Sequence, residues 1–408
     1  MNYFTKNGYY DETLSIVEKK KNLLGKKIVN FLYFHGPKSA VEISKKLKSS
    51  IPTVTAVLLE LCDSGIVIEQ GQGSSSGGRR PNLFGLKNDS LFILGIDIGR
   101  YATKMAIFDS NFKNVTGLKT INVKLVNKPE TLDLIFEAAQ KLISDSGINK
   151  DKLIGVGVDM PGLIDAKAGR NYTYLHQEES TLSKVLSQMF SLPVFIENDA
   201  KARALAEYRF GLAKGRKNVL SLHVGWGLGL GIIINGKLYR GNSGFTGEFS
   251  HLPIIENGVL CECGKRGCLE TVASGKGLVH LAQKQIESQQ DSPLAKLIAS
   301  QEKELVPKSI IEAANHGDQF AISIISQVGL ELGKGIAILI QLLNPELIIL
   351  GGRVAEANQY LLTPIQQSLN HYCMPRLRDQ AELVISELGP NANILGAVAT
   401  AIENIFER

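Results

Sequence analysis

The sequence predicts an α/β protein in two parts, a small N-terminal winged helix-turn-helix followed by a larger α/β module built by duplication. Three observations predict it. With 408 residues the chain exceeds one ordinary core and calls for two or three domains. Its first part carries short helical periodicities that end in a β-like run and a glycine-rich stretch. After residue 90, two strand–glycine turn–strand patterns of one design recur about 120 residues apart.

Composition narrows the class. An apolar share of 44% with 21% charged residues is globular and argues against disorder. No run of about 18 uncharged apolar residues exists, so no membrane span is expected. The N-terminal MNYFTKNGYYDETLSIVEKKK lacks the apolar core of a signal peptide, which points to a cytoplasmic protein.

In the N-terminal part, Leu23, Leu24, Ile28, Phe31 and Leu32 repeat at helical spacing and stop at His35-Gly36-Pro37. Ser39 can cap a second short helix bearing Val41, Ile43 and Leu47. Ser50 can cap a third, IPTVTAVLLELCDSG, with Pro52 in its first turn and Gly65 at its end. The run IVIEQ then reads as the β-wing of a winged helix-turn-helix. In that layout the start of the third helix enters the major groove, which makes Ser50, Thr53 and Thr55 candidate DNA contacts. Charge points the same way: residues 1–88 hold 13 Lys/Arg against 7 Asp/Glu, and the remainder 32 against 33. Excess positive charge at one end suits a phosphate backbone, although a solvated Lys-rich surface explains charge alone equally well. Helices, wing and charge together favour double-stranded DNA.

The head is thus expected over residues 1–71 and a linker over 72–88, the latter centred on SSSGGRRP (74–81). Serines and glycines make a flexible joint. Arg79 and Arg80 are candidate DNA contacts, since a narrow A·T-rich minor groove attracts arginine.

Beyond the linker, LFILGIDIG (91–99) and ATKMAIFD form one expected hairpin, and NVLSLHVGWGLGLGIIING (218–236) a second. Tight glycine turns of this kind let backbone N–H groups approach phosphate. The expected lobes are 89–205, completed by 386–408, and 206–385, with a ligand cleft between them. Five cysteines are present, and three crowd into CECGKRGC (261–268), where metal is favoured over a disulfide. Cys62 and Cys373 are expected in apolar surroundings.

The stretches LGIDIG (94–99), GVGVDMPGLID (155–165), IENDAKARALAE (196–207), GFTGEFSHLPI (244–254), CECGKRGCLE (261–270) and IILGGRV (348–354) together resemble the ROK family of sugar kinases and sugar-responsive repressors. The resemblance covers nearly all of the chain after residue 90. It implies the actin/hexokinase-like (ribonuclease H-like) fold, and the winged helix and GGRRP point to the repressor branch. It further implies a structural Zn²⁺ on His251, Cys261, Cys263 and Cys268, a donor set that suits tetrahedral zinc. Pro161, Gly162, Asn198, Asp199, Glu248, His251 and Glu270 match the family's sugar-contacting positions, with His251 serving both sites. The partners implied are operator DNA, a sugar or sugar-phosphate effector and a second or further copy in a homodimer or homotetramer. Docking of a transport protein has precedent in the family.

Asp199 also matches the general base of the kinases. Against catalysis, the kinase pattern DIGGTK here reads Asp97-Ile98-Gly99-Arg100-Tyr101-Ala102, and GTG reads Gly225-Trp226-Gly227. Arg353 interrupts the glycines after IILGG. Arg100, Tyr101, Trp226 and Arg353 each enlarge a nucleotide-contacting position, so a sugar-responsive repressor without kinase activity is expected. A sugar kinase of the same fold is the alternative.

Overall fold

The computed structural model describes residues 15–73, 80–177, 179–288 and 291–407. The chain forms two units, one made of residues 1–198 and 393–408 and the other of 199–392.

Reciprocal caps open the first helices. In α1 (Ile16–His35) the Glu18 N–H donates to the Ser15 hydroxyl, and the Glu18 carboxylate accepts from the Ser15 N–H. Ser39 and Glu42 repeat the arrangement at α2 (Ala40–Leu47), and Ser50 caps α3 (Ile51–Asp63). The strands β1 (Lys38–Ser39), β2 (Val67–Gln72) and β3 (Asn82–Leu86) make an antiparallel sheet in the order β1-β3-β2. Three helices and this small sheet complete a winged helix. Residues 82–86 therefore differ from the linker expectation. In NLFGL, Phe84 and Leu86 are buried, and the segment pairs back onto β2, with the Gly73 N–H donating to the Pro81 carbonyl at 2.8 Å. Of the SSSGGRRP stretch, residues 74–79 lie outside the described residues, and Arg80 and Pro81 directly precede β3.

The first unit continues with β4 (Phe92–Ile98), β5 (Thr103–Phe108), β6 (Lys119–Ile121), α4 (Pro129–Asp145), β7 (Leu153–Met160), β8 (Ile164–Asp165), β9 (Arg170–Asn171), α5 (Leu182–Phe190) and β10 (Val194–Asn198). Its main sheet runs β10-β7-β4-β5-β6. β4 is antiparallel to β5 and parallel to β7, and both β4 and β7 are buried along their whole length, as an apolar strand covered on two faces must be.

The second unit holds α6 (Asp199–Phe210), β11 (Val219–Val224), β12 (Leu228–Ile234), β13 (Lys237–Leu238), α7 (Glu270–Ala273), α8 (Gly275–Gln285), α9 (Pro293–Ala299), α10 (Pro307–Asn315), α11 (Gln319–Leu343), β14 (Leu347–Gly351), α12 (Gln359–Tyr372), α13 (Pro375–Arg378) and β15 (Glu382–Ile385). Its sheet runs β13-β12-β11-β14-β15. Each sheet thus has an antiparallel three-strand meander flanked by two parallel strands, which is the duplication that the paired hairpins predict. α11 is long and apolar enough to cross a membrane by composition, although Glu331 and Lys334 keep it from being an uncharged run. Its residues Phe320, Ile324, Val328, Leu332 and Ile336 are buried in the core of this unit.

The chain returns to the first unit as α14 (Ala392–Glu407). This helix lies so close to the sheet that a Cβ on Gly157 would sit 1.8 Å from the Ala397 carbonyl oxygen. Its far end joins the winged helix: Ile402 and Phe406 share one apolar core with Ile28 and Leu32 of α1, Leu58 of α3 and Ile93 of β4. Tyr33 stands edge-on to Phe112 with centroids 4.4 Å apart, and its buried hydroxyl donates to the Asp109 carbonyl at 3.0 Å.

Candidate functional site

In the second unit a short turn and a loop bring four ligand-type side chains together. His251 ends the 3₁₀ turn Phe249–His251, Cys261 and Cys263 follow on a tight hairpin closed by Leu260 and Arg266, and Cys268 comes just after it, bridged antiparallel to Pro253. The Cys261 N–H donates to the Lys265 carbonyl at 2.8 Å, and the Gly264 N–H to the Cys261 carbonyl at 2.9 Å. Only glycine fits at 267, where φ is +73° and a Cβ would meet the Ile255 carbonyl oxygen at 1.8 Å. One donor atom from each of the four residues lies within 4.8 Å of every other. His251 Nδ1 is 3.5 Å from Cys261 Sγ, and Cys263 Sγ is 3.6 Å from Cys268 Sγ. A tetrahedral metal with metal–sulfur bonds of about 2.3 Å would set its donors roughly 3.7 Å apart, so the spacing fits such an ion. Burial and the neighbouring thiols push Cys268 up to about 12, so a free thiol here keeps its proton until a cation displaces it. Cys62 and Cys373 lie apart, each packed in an apolar core, with burial raising both thiols.

Carboxylates gather on the other side of the His251 ring. Its Nε2 lies 4.0 Å from Glu248 Oε2. Burial, and behind it the Asp199 and Glu270 carboxylates, hold Glu248 above the usual carboxylate range against the pull of Lys201 and His251. Asp199 begins α6 and accepts from the Ala200 N–H at 2.9 Å, and Glu270 begins α7 and accepts from the Leu228 N–H at 3.3 Å. Lys201, which sequence reading passed over, is buried among these groups, its ammonium donating to the Gly244 carbonyl at 2.7 Å. The structure therefore brings Asp199, Glu248, His251 and Glu270 together, and one imidazole faces both the thiols and the carboxylates.

In the first unit, Asn198 ends β10 beside the turn that follows β7. Its amide donates to the Gly162 carbonyl at 3.2 Å. Asn171 holds that turn: its Nδ2 donates to the Pro161 carbonyl at 3.0 Å, and its Oδ1 accepts from the Thr173 and Tyr174 N–H groups at 2.9 and 3.0 Å. Thr173 adds a bond to the Leu163 N–H. Gly162, at φ +112°, is packed against both side chains. Asn171 and Thr173 carried no sequence signal, since isolated polar residues in a loop look alike until the chain folds back.

The bulky residues singled out beside the glycines fall on exposed or paired positions. Gly99 closes a tight turn onto Ala102, leaving Arg100 and Tyr101 exposed. Trp226 is exposed between β11 and β12, and the Arg353 guanidinium is paired with Glu356 at 2.9 Å. In the head, the Ser50 and Thr53 hydroxyls bond each other at 2.7 Å as part of the α3 cap. Thr53 and Arg80 are exposed, Thr55 is half-buried, and Arg79 lies outside the described residues.

The model of the ROK family matches residues 93–404. The chain belongs to the ROK family. Within that family it is 32% identical over 375 residues to the xylose repressor of Bacillus spizizenii, covering 91% of this chain and 93% of that one. It is 36% identical over 306 residues to the glucokinase of Halalkalibacterium halodurans, covering 74% of this chain and 92% of the kinase. A crystal structure described as a ROK family transcriptional regulator, homologous to the Escherichia coli MLC protein, superposes with a TM-score of 0.80 at 26% identity, over 95% of this chain and 96% of that one. The regulators match nearly end to end, whereas the kinase leaves a quarter of this chain uncovered.

Proposed function

We propose that the protein is a sugar-responsive, DNA-binding transcriptional repressor of carbohydrate uptake or metabolism genes. The observation that carries this reading is the near full-length likeness to ROK regulators, head included, in a chain whose first 88 residues hold all the excess positive charge. The winged helix reads operator DNA through the start of α3 and through the wing, where Arg79 and Arg80 lie in sequence. The effector contacts proposed are Asn198, Pro161 and Gly162, and Asp199, Glu248, His251 and Glu270. Every sugar hydroxyl taken from water needs a partner, and these groups accept and donate at short range. Zinc on His251, Cys261, Cys263 and Cys268 fixes the imidazole that faces Glu248. Its role is structural, since four protein donors leave no open position.

The kinase reading has one residue in its favour, Asp199, which matches the general base of the family's kinases. Against it stand Arg100, Tyr101, Trp226 and Arg353, which occupy the turns where a triphosphate and Mg²⁺ would have to sit. ATP consumption measured against a panel of hexoses and pentoses separates the two. No turnover above background is expected, and turnover at ordinary kinase rates would remove the repressor-only reading.

A further inference from the structure

The β11–β12 turn of the second unit has the glycine pattern that elsewhere offers backbone N–H groups to phosphate. Here two of those groups, at either end of the turn, are already engaged. The Gly225 N–H donates to the Gly227 carbonyl at 3.0 Å, and the Leu228 N–H meets the Glu270 carboxylate at 3.3 Å. The start of α8, another place where anions gather, is turned inward as well: the Gly275 and Lys276 N–H groups donate to the Gly225 and Trp226 carbonyls at 2.8 and 3.0 Å.

One side chain fills the space beneath. His223 on β11 stands opposite Gly229 of β12 and Gly351 of β14, so neither neighbouring strand places a side chain beside it. Its ring lies between two further glycines. A Cβ on Gly225 would fall 2.5 Å from Nε2, and one on Gly352 would fall 2.5 Å from Cε1. The ring is a wedge set where four glycines leave room, and its Nδ1 is buried with no hydrogen-bond partner among the described residues. Burial first, and the Arg203 cation second, lower its pKa well below the usual histidine range, so the wedge is neutral and offers a phosphate no charge.

We propose that His223 closes the phosphate corner of the second unit and thereby restricts its ligands to sugars without a nucleotide. The inference rests on the reading of this chain as a non-kinase and adds a further residue to those that enforce it. Trp226, the single tryptophan, reports directly because it sits on the turn in question.

The experiment is a titration of Trp226 fluorescence with Mg·ADP in the full chain, which needs neither turnover, sugar nor DNA. The wild-type protein is expected to show no saturable change up to millimolar nucleotide. His223→Ala and His223→Ser, checked for folding by thermal melt, should gain saturable binding at least tenfold tighter than the wild-type limit. His223→Gln keeps the bulk and should stay closed. Saturable binding by the wild-type protein would overturn the proposal, and so would a folded His223→Ala or His223→Ser that gains nothing. Loss of sugar response in a separate operator assay bears on the repressor reading alone.

Discussion

His251 is the residue on which most of the second unit's chemistry converges, with Nδ1 toward the thiols and Nε2 toward Glu248. Cys263→Ser should therefore reduce zinc from about one per chain to near none by elemental analysis, as expected when a four-donor site loses one thiolate. It should also weaken sugar binding at least tenfold, although Cys263 touches no sugar. A variant that loses zinc and still binds sugar normally would show that the imidazole needs no metal to hold it. Asn171→Ala should cost about 0.5–1.5 kcal/mol in chemical denaturation, because the part-buried Thr173 and Tyr174 N–H groups lose their acceptor. His223 gives a pH test. In the unfolded chain its ring takes up a proton below about pH 6.5, while in the fold it stays neutral to well below that. Stability from the neutral ring is then fully present above pH 6.5 and falls as the pH drops, by at most about 1.4 kcal/mol per pH unit. His223→Gln should show a shallower acid-side loss, and identical slopes would contradict the burial argument.

At the scale of elements, the caps at Ser39 and Ser50, the two hairpins and the clustering of His251 with three cysteines were all legible in the sequence. Each is local, set by a hydroxyl before a helix, a glycine between apolar runs or crowded cysteines. What escaped was long-range. NLFGL looked like the end of a linker because its partner strand, β2, precedes nine intervening residues, and only pairing reveals Phe84 and Leu86 as core. Asn171, Lys201 and His223 escaped for the same reason. The docking of α14 on the head was equally invisible, since Phe406 and Tyr33 are hundreds of residues apart. It predicts that Phe406→Ala destabilises the protein by about 3–5 kcal/mol, with winged helix and first unit losing stability together in hydrogen exchange. Exchange that accelerates in the head alone would show the two to be separate bodies. In the wing, Arg80→Ala should weaken operator binding alike on all sequences and lower the salt slope by about 1 if it contacts phosphate. A loss confined to A·T-rich operators would instead assign it to the minor groove.

For the whole molecule, the proposed function joins a winged helix, in the part of the chain that holds the excess positive charge, to a duplicated α/β module that would take the sugar. A sugar can act on the head only by binding its DNA-competent and DNA-incompetent states with different affinity. The most direct measurement is fluorescence anisotropy of the full-length protein on its operator, at fixed salt, across a panel of unphosphorylated and phosphorylated sugars. The prediction is that one sugar class shifts operator affinity at least fivefold, and that Asp199→Ala and Glu248→Ala abolish the shift while leaving sugar-free DNA binding intact. Operator binding that no sugar alters, or a shift that survives both substitutions, would contradict the account.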